Sequence, residues 1–125
     1  TNKTLWCGWV FETQNYKCIF VGDTGYSKDF LTIQEKFGFM DLSLIPIGAY
    51  APRWFMKDHH CNVEEAIQIH KDLKSKKSIA MHWGTFQLTD EPMGEPPKLL
   101  KKLYLEKNLL KDDFIVMQHG ESKII

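Results

Sequence analysis

Phe20-Val21-Gly22-Asp23-Thr24-Gly25-Tyr26 decides how this chain is read. An apolar strand runs out into a turn bracketed by glycines, with a single carboxylate, Asp23, held where the strand ends. Glycines at such a point admit tight backbone angles and close approach of another group. An acidic side chain there can bind a cation or a substrate hydroxyl. A plain turn aspartate is the other reading of the same residues, and the remainder of the chain has to decide between them.

Upstream, Leu5 to Phe11 and Lys17 to Val21 are rich in aromatic and β-branched residues and are separated by Glu12-Thr13-Gln14-Asn15, the pattern of an antiparallel hairpin. Downstream, Ser27 is a candidate cap for a helix with apolar positions at Phe30, Ile33 and Phe37, and Gly38 is its stop. Asp41 to Ile47 follows as a short strand. The stretch from Ala49 to Cys61 is a long aromatic loop broken by Pro52. Asn62 and Glu65 form a capping-box pair ahead of a second helix with Ala66, Ile69, His70 and Leu73 on one face. Ser78 to Met81 is the next strand and ends in His82-Trp83-Gly84-Thr85-Phe86. After the polar connection Gln87 to Glu95, Pro96-Pro97 opens a third helix with Leu99, Leu100, Leu103 and Leu110 in register, and Phe114 to Met117 is the last strand.

The predicted order is ββαβαβαβ, an α/β chain (α+β by some schemes). Strands joined by helices run parallel through right-handed crossovers, so their carboxyl ends share one edge of the sheet. Asp23, Gly48, His82 and His119 all fall just past such ends, and ligands bind at that edge in open α/β sheets. The strands carry little polar alternation, as expected when both faces are buried. Three helices cover one face of the sheet, and the other needs a second layer.

Composition narrows the classes of function. In 125 residues, 16 basic groups balance 16 acidic ones, which gives no electrostatic ground for a nucleic-acid partner. Cys7, Cys18 and Cys61 are odd in number and lack C-x-x-C spacing, so they read as reduced thiols of an intracellular protein. No apolar run approaches the roughly 20 residues of a membrane span. The chain opens directly into strand-like sequence at Leu5-Trp6, so its first residue is expected to fall inside a domain. No G-x-S-x-G, phosphate loop or G-x-G-x-x-G is present.

A catalytic zinc takes three protein ligands plus water, and Asp23 with His82 supplies two. Of the other histidines, His70 lies on an apolar helix face and reads as a core residue. At most one of His59 and His60 is expected to reach the site. His119 is read equally as lining the site edge or making a structural hydrogen bond. Arg53, the chain's sole arginine, is read either as a phosphate-binding group among aromatics or as a structural group stacked on Trp54 or paired with an acid.

Four motifs in order, Gly22-Asp23-Thr24-Gly25-Tyr26, Ile45-Pro46-Ile47-Gly48-Ala49-Tyr50, Pro52-Arg53-Trp54-Phe55-Met56 and His82-Trp83-Gly84-Thr85-Phe86, resemble the metallo-β-lactamase superfamily, in its branch of N-acyl-phosphatidylethanolamine-hydrolysing phospholipases D. The likeness runs from Thr4 to Ser122 and implies that residues 1–125 are the carboxyl-terminal half of that family's αββα sandwich, a mixed sheet with helices on one face. It implies two zinc ions per intact site, with Asp23 as the bridging ligand and His82 as the last ligand of the second metal. The remaining ligands belong to the amino-terminal half. The same likeness implies phosphodiester hydrolysis of an N-acyl phosphatidylethanolamine-like lipid in a cytoplasmic protein that can lie peripherally on membranes. Tyr26, Tyr50, Arg53, His60 and His119 are the implied substrate-contacting or supporting residues. The implied partners are the amino-terminal half of the domain or a second copy of the chain, the lipid or a small phosphodiester, and no nucleic acid. Two alternatives stay open: the same fold acting on another substrate such as a phosphorylated sugar lactone, and an inactive half-domain that pairs through its uncovered sheet face.

Overall fold

A computed structural model describes residues 4–125. Its elements are β1 (Trp9–Glu12), β2 (Lys17–Phe20), α1 (Asp29–Phe37), β3 (Leu42–Pro46), α2 (Arg53–Met56), α3 (Val63–Asp72), β4 (Lys77–Met81), α4 (Glu95–Glu106) and β5 (Phe114–Ile115). The five strands form one mixed sheet in the order β1-β2-β3-β4-β5. Only β1 and β2 are antiparallel, so β2, β3, β4 and β5 release their chains at the same edge.

The expected order holds, with one addition and several shifted ends. The Ala49 to Cys61 loop contains the one-turn helix α2, opened by Pro52. The hairpin begins at Trp9 and not at Leu5, because β1 pairs only as far as Trp9 with Phe20, and β2 ends there. Ser27 does not cap α1. The cap position is Lys28, and the Ser27 hydroxyl accepts from the Asp29 amide one residue early. Helix α4 stops at Glu106, Asn108 takes a positive φ of 55°, and Leu110 is left exposed in the turn beyond. Strand β5 is two residues long because only Ser78 and Ile79 of β4 pair with it. The α3 capping box forms as expected: Asn62 Oδ1 accepts from the Glu65 amide at 2.8 Å and Glu65 Oε2 accepts from the Asn62 amide at 2.9 Å.

Burial alternates along the strands and separates the two faces of the sheet. Ile19, Ser43, Ile45, Ser78, Ala80 and Phe114 are buried under the helices. Their neighbours Cys18, Leu42, Leu44, Ile79 and Met81 are only half-buried. At the hairpin end of that second face, Trp9 and Phe11 remain 60% and 57% exposed. A contiguous exposed apolar face of this kind marks an interaction surface. Helix α3 packs on β3 between α1 and α4, and its Val63, Ala66, Ile67, Ile69 and Leu73 are buried.

His70 is the core histidine anticipated from its helix face. It is 6% exposed, its Nδ1 lies 2.8 Å from Ser78 Oγ, and its ring stacks on Phe114 at 5.8 Å between centroids. Burial holds its pKa below the usual histidine range, with the Lys71 charge acting in the same direction and Asp113 opposing. Unfolding therefore returns a group that binds a proton at about pH 6.5. Stability is expected to be full above that pH and to decline as pH falls through the window below it. Chemical denaturation of wild type and His70→Gln at pH 7.5 and 5.5 checks this: the wild type loses more stability than the variant, and equal losses overturn the assignment.

Candidate metal site

Three turns bring three donor side chains together at the carboxyl edge. Asp23 follows β2, His82 follows β4, and His60 sits between α2 and α3. The β3 and β4 turns meet backbone to backbone: the Ile47 amide donates to Met81 O at 3.0 Å, and a Cβ on Gly48 would lie 2.2 Å from the His82 carbonyl oxygen. His82 itself takes a positive φ of 58°, a costly angle for a side-chain-bearing residue that is found at functional turns. The Asp23 turn receives the His60 loop in the same manner. A Cβ on Gly25 would lie 2.5 Å from Lys57 O, and the Cys61 amide donates to Thr24 O at 2.7 Å. The close approach that glycine permits at this turn is thus made by a second stretch of backbone.

Among the described residues, Asp23, His60 and His82 form the one cluster of three or more metal-type donors, each offering a ligand atom within 4.8 Å of the others. The His60 and His82 rings stack at 5.0 Å with an interplanar angle of 24°. His82 Nε2 lies 3.4 Å from Asp23 Oδ1, longer than an ordinary hydrogen bond. Two donors bound at about 2.1 Å to one tetrahedral zinc are separated by about 3.4 Å, so this spacing fits a shared ion. Nδ1 of His60 and Nδ1 of His82 are buried without a hydrogen-bond partner. Burial, then the neighbouring His82, lowers the His60 pKa, which favours the neutral imidazole that metals and phosphates meet as a donor or acceptor.

The other expected site residues separate into two groups. Arg53 is engaged within the fold: its Nη2 donates to both Glu65 carboxylate oxygens at 2.8 and 2.9 Å, and its Nη1 donates to His60 O at 2.8 Å. It therefore ties α2 to the cap of α3 and holds the His60 backbone. His119 donates or accepts at Thr85 Oγ1, 3.1 Å away, and packs by Trp83, so it braces the turn after His82. Tyr26 and Tyr50 make their hydrogen bonds away from the cluster. The Tyr26 hydroxyl donates to Asp72 Oδ2 at 2.8 Å and its ring stacks on Phe30, which directs it to the helical layer. Tyr50 is 7% exposed and donates to Glu95 Oε1 at 2.5 Å, and burial followed by that bond raises its pKa. Of the His59-His60 pair, only His60 joins the cluster. His59 is exposed beside Trp6 and Phe55.

Sequence reasoning passed over Glu91, which lies in the connection read as merely polar. It is 8% exposed, and its Oε1 accepts from the amides of Ala49 at 2.6 Å and Tyr50 at 3.3 Å and from Thr89 Oγ1 at 2.8 Å. Oε2 accepts from the Ala51 amide at 3.0 Å. Burial disfavours the carboxylate, but the Thr89 bond and the amide bonds outweigh it, and the pKa lies below the ordinary glutamate value. Glu91 thereby straps the segment after His82 across the turn after β3, where Ala49 holds a positive φ of 63°. No local pattern announces such a contact, because its backbone amide partners lie 40 to 42 residues away.

This fold and this edge are those of the metallo-β-lactamase superfamily, and the chain belongs to it: residues 1–83 match the family model described as a beta-lactamase superfamily domain. The chain is 46% identical over 123 residues to N-acyl-phosphatidylethanolamine-hydrolyzing phospholipase D 1 of Caenorhabditis elegans, covering 96% of this chain and 35% of that protein. It is 30% identical over 115 residues to a UPF0173 metal-dependent hydrolase of Thermococcus onnurineus, covering 92% of this chain and 44% of that one. Among solved structures, isothiocyanate hydrolase from Delia radicum gut bacteria superposes with a TM-score of 0.74 at 20% identity over 95% of this chain and 43% of the other, a likeness of fold. The chain thus spans less than half the length of each of these relatives.

Replacing Glu91 by Ala leaves three backbone amides without their acceptor and is expected to destabilise the fold by about 1–3 kcal/mol. Glu91→Gln keeps the shape and part of the bonding and is expected to cost less. Equilibrium denaturation of the two variants decides it, and an unchanged midpoint for Glu91→Ala removes the strap.

Proposed function

We propose that the intact protein is a zinc-dependent phosphodiester hydrolase of phospholipase D type that acts on N-acyl phosphatidylethanolamine-like lipids. The observation that carries this reading is the cluster of Asp23, His60 and His82 with its two unpartnered buried ring nitrogens. The 46% identity to the worm phospholipase D supports the substrate class. Asp23 and His82 would hold the metal, and further ligands come from the other half of the domain. When bound, zinc supplies Lewis-acid charge to phosphoryl oxygens and lowers the pKa of coordinated water toward about 7. His60, neutral and stacked on His82, is placed to hydrogen-bond a phosphoryl oxygen of the substrate. Arg53 keeps His60 there through its backbone carbonyl and does not itself meet the phosphate.

The partner reading follows from the open face of the sheet. The amino-terminal half of the same domain is the proposed cover for Trp9, Phe11, Phe20 and their half-buried neighbours, in the face-to-face packing two sheets adopt.

Two measurements test these readings. In the full-length protein, Asp23→Ala and His82→Ala are each expected to weaken zinc binding by at least about 100-fold and to abolish release of phosphatidic acid from N-acyl phosphatidylethanolamine, with circular dichroism unchanged. Retained zinc and turnover in either variant sink that ligand assignment. The 125-residue chain by itself is expected to self-associate in light scattering, and a monodisperse monomer shows that the sheet face needs no cover.

A further inference from the structure

Asp72 is a buried carboxylate that neither an ion pair nor the metal cluster accounts for. It is the last residue of α3, is 9% exposed, and among the described residues no cation pairs with it. Two neutral donors hold it instead: Gln68 Nε2, one turn back on the same helix, donates to Oδ1 at 2.7 Å, and the Tyr26 hydroxyl donates to Oδ2 at 2.8 Å. The first bond is local to α3. The second crosses 46 residues to the turn that carries Asp23. A carboxylate taken out of water is costly unless its oxygens are bonded, so the Tyr26 bond constrains where that turn can sit.

The stretch from Asp23 to Tyr26 is fixed at three points. Thr24 O accepts from the Cys61 amide at 2.7 Å, Gly25 lies against the Lys57-Asp58 backbone, and Tyr26 reaches α3. The first two contacts set Asp23 against the loop that bears His60. The third ties the turn to the body of α3, which packs on β3, and stacking of the Tyr26 ring on Phe30 at 6.5 Å between centroids aims the hydroxyl. We propose that Asp72 is a positioning residue for the metal site: through the Tyr26 hydroxyl it anchors the Asp23 turn and keeps Asp23 and His60 within reach of His82. The inference rests on the metal reading of the cluster and adds to it a residue at the far end of α3 that holds the cluster's geometry.

In the full-length protein, Tyr26→Phe removes one hydroxyl and is expected to weaken zinc binding about tenfold, the lower end of what loss of a supporting hydrogen bond costs a metal site. Asp72→Ala is expected to do the same, and the double variant to be within about twofold of either, because one bond is lost in all three. Asp72→Asn keeps an acceptor for the hydroxyl and is expected to stay within about threefold of wild type. His70→Gln, on the same helix with no link to the turn, controls for general damage to α3 and should leave zinc affinity within about twofold. Unchanged zinc affinity in Tyr26→Phe, multiplied losses in the double variant, a loss in Asp72→Asn as large as in Asp72→Ala, or an equal loss in His70→Gln overturns the proposal. The Cys61 amide gives a reading without metal: in zinc-stripped protein its hydrogen exchange, which reports the bond to Thr24 O, is expected to speed up about tenfold in Tyr26→Phe and not in His70→Gln. Should wild type bind no zinc, the metal reading fails and this exchange decides the anchoring role: faster exchange in Tyr26→Phe upholds it, and unchanged exchange overturns it.

Discussion

The hydrogen bond from the Ile47 amide to Met81 O, with Gly48 pressed against the His82 carbonyl, is the contact on which the site depends. It extends the parallel pairing of β3 and β4 past their ends and fixes where His82 leaves the sheet. A side chain at Gly48 would force the two turns apart at that point. Gly25 does the equivalent for Asp23, by letting the Lys57-Asp58 backbone lie on its turn and carry His60 in. The three donors are therefore assembled by backbone contacts and not by bonds among themselves. Such an arrangement leaves their own coordinating atoms available.

The parts of this architecture that were legible in the sequence are those with a local or periodic imprint. Asp23 and His82 each terminate an apolar run, and parallel crossovers place both terminations on one edge. The Asn62–Glu65 box is a four-residue signal and forms as read. By contrast, Tyr26 bonds Asp72 across 46 residues, and Glu91 meets the Ala49 amide across 42. Contacts of that span leave no spacing to recognise. Tyr26 and Tyr50 sit in the motifs that surround the site, and their hydroxyls are taken by Asp72 and Glu95. Arg53 stood between two readings because a guanidinium suits a phosphate and a carboxylate equally. The Glu65 carboxylate, already placed by the helix cap, takes it.

Polar satisfaction elsewhere in the molecule gives the site its meaning. His70 finds Ser78, Ser43 finds Ser75, Cys61 donates to Pro46 O, and Glu91 answers three amides. A chain that pairs its buried polar groups this thoroughly leaves two exceptions among the described side chains, Nδ1 of His60 and Nδ1 of His82, and they lie in stacked rings at one point. Unpaired buried donors or acceptors cost about 1–3 kcal/mol each. Their concentration beside the Asp23 carboxylate marks a place where something else supplies the missing partner.

The open sheet face and the donor cluster belong to one sheet. Trp9 and Phe11 of β1 and Phe20 of β2 lie on the uncovered side of the sheet, and Asp23 follows β2 while His82 follows β4, two strands further on. If a second half-domain covers the face, it arrives beside the cluster in the same step, and the metal ligands it brings close around Asp23. Under the proposed reading, apolar burial and metal coordination are then linked equilibria. The metal binds the joined halves better than either alone, and so it must strengthen their association by the same factor. In that arrangement each half presents hydrophobic surface and partial ligand sets that are both unfavourable alone. Under that reading, the ion that performs the chemistry would also hold the two halves together.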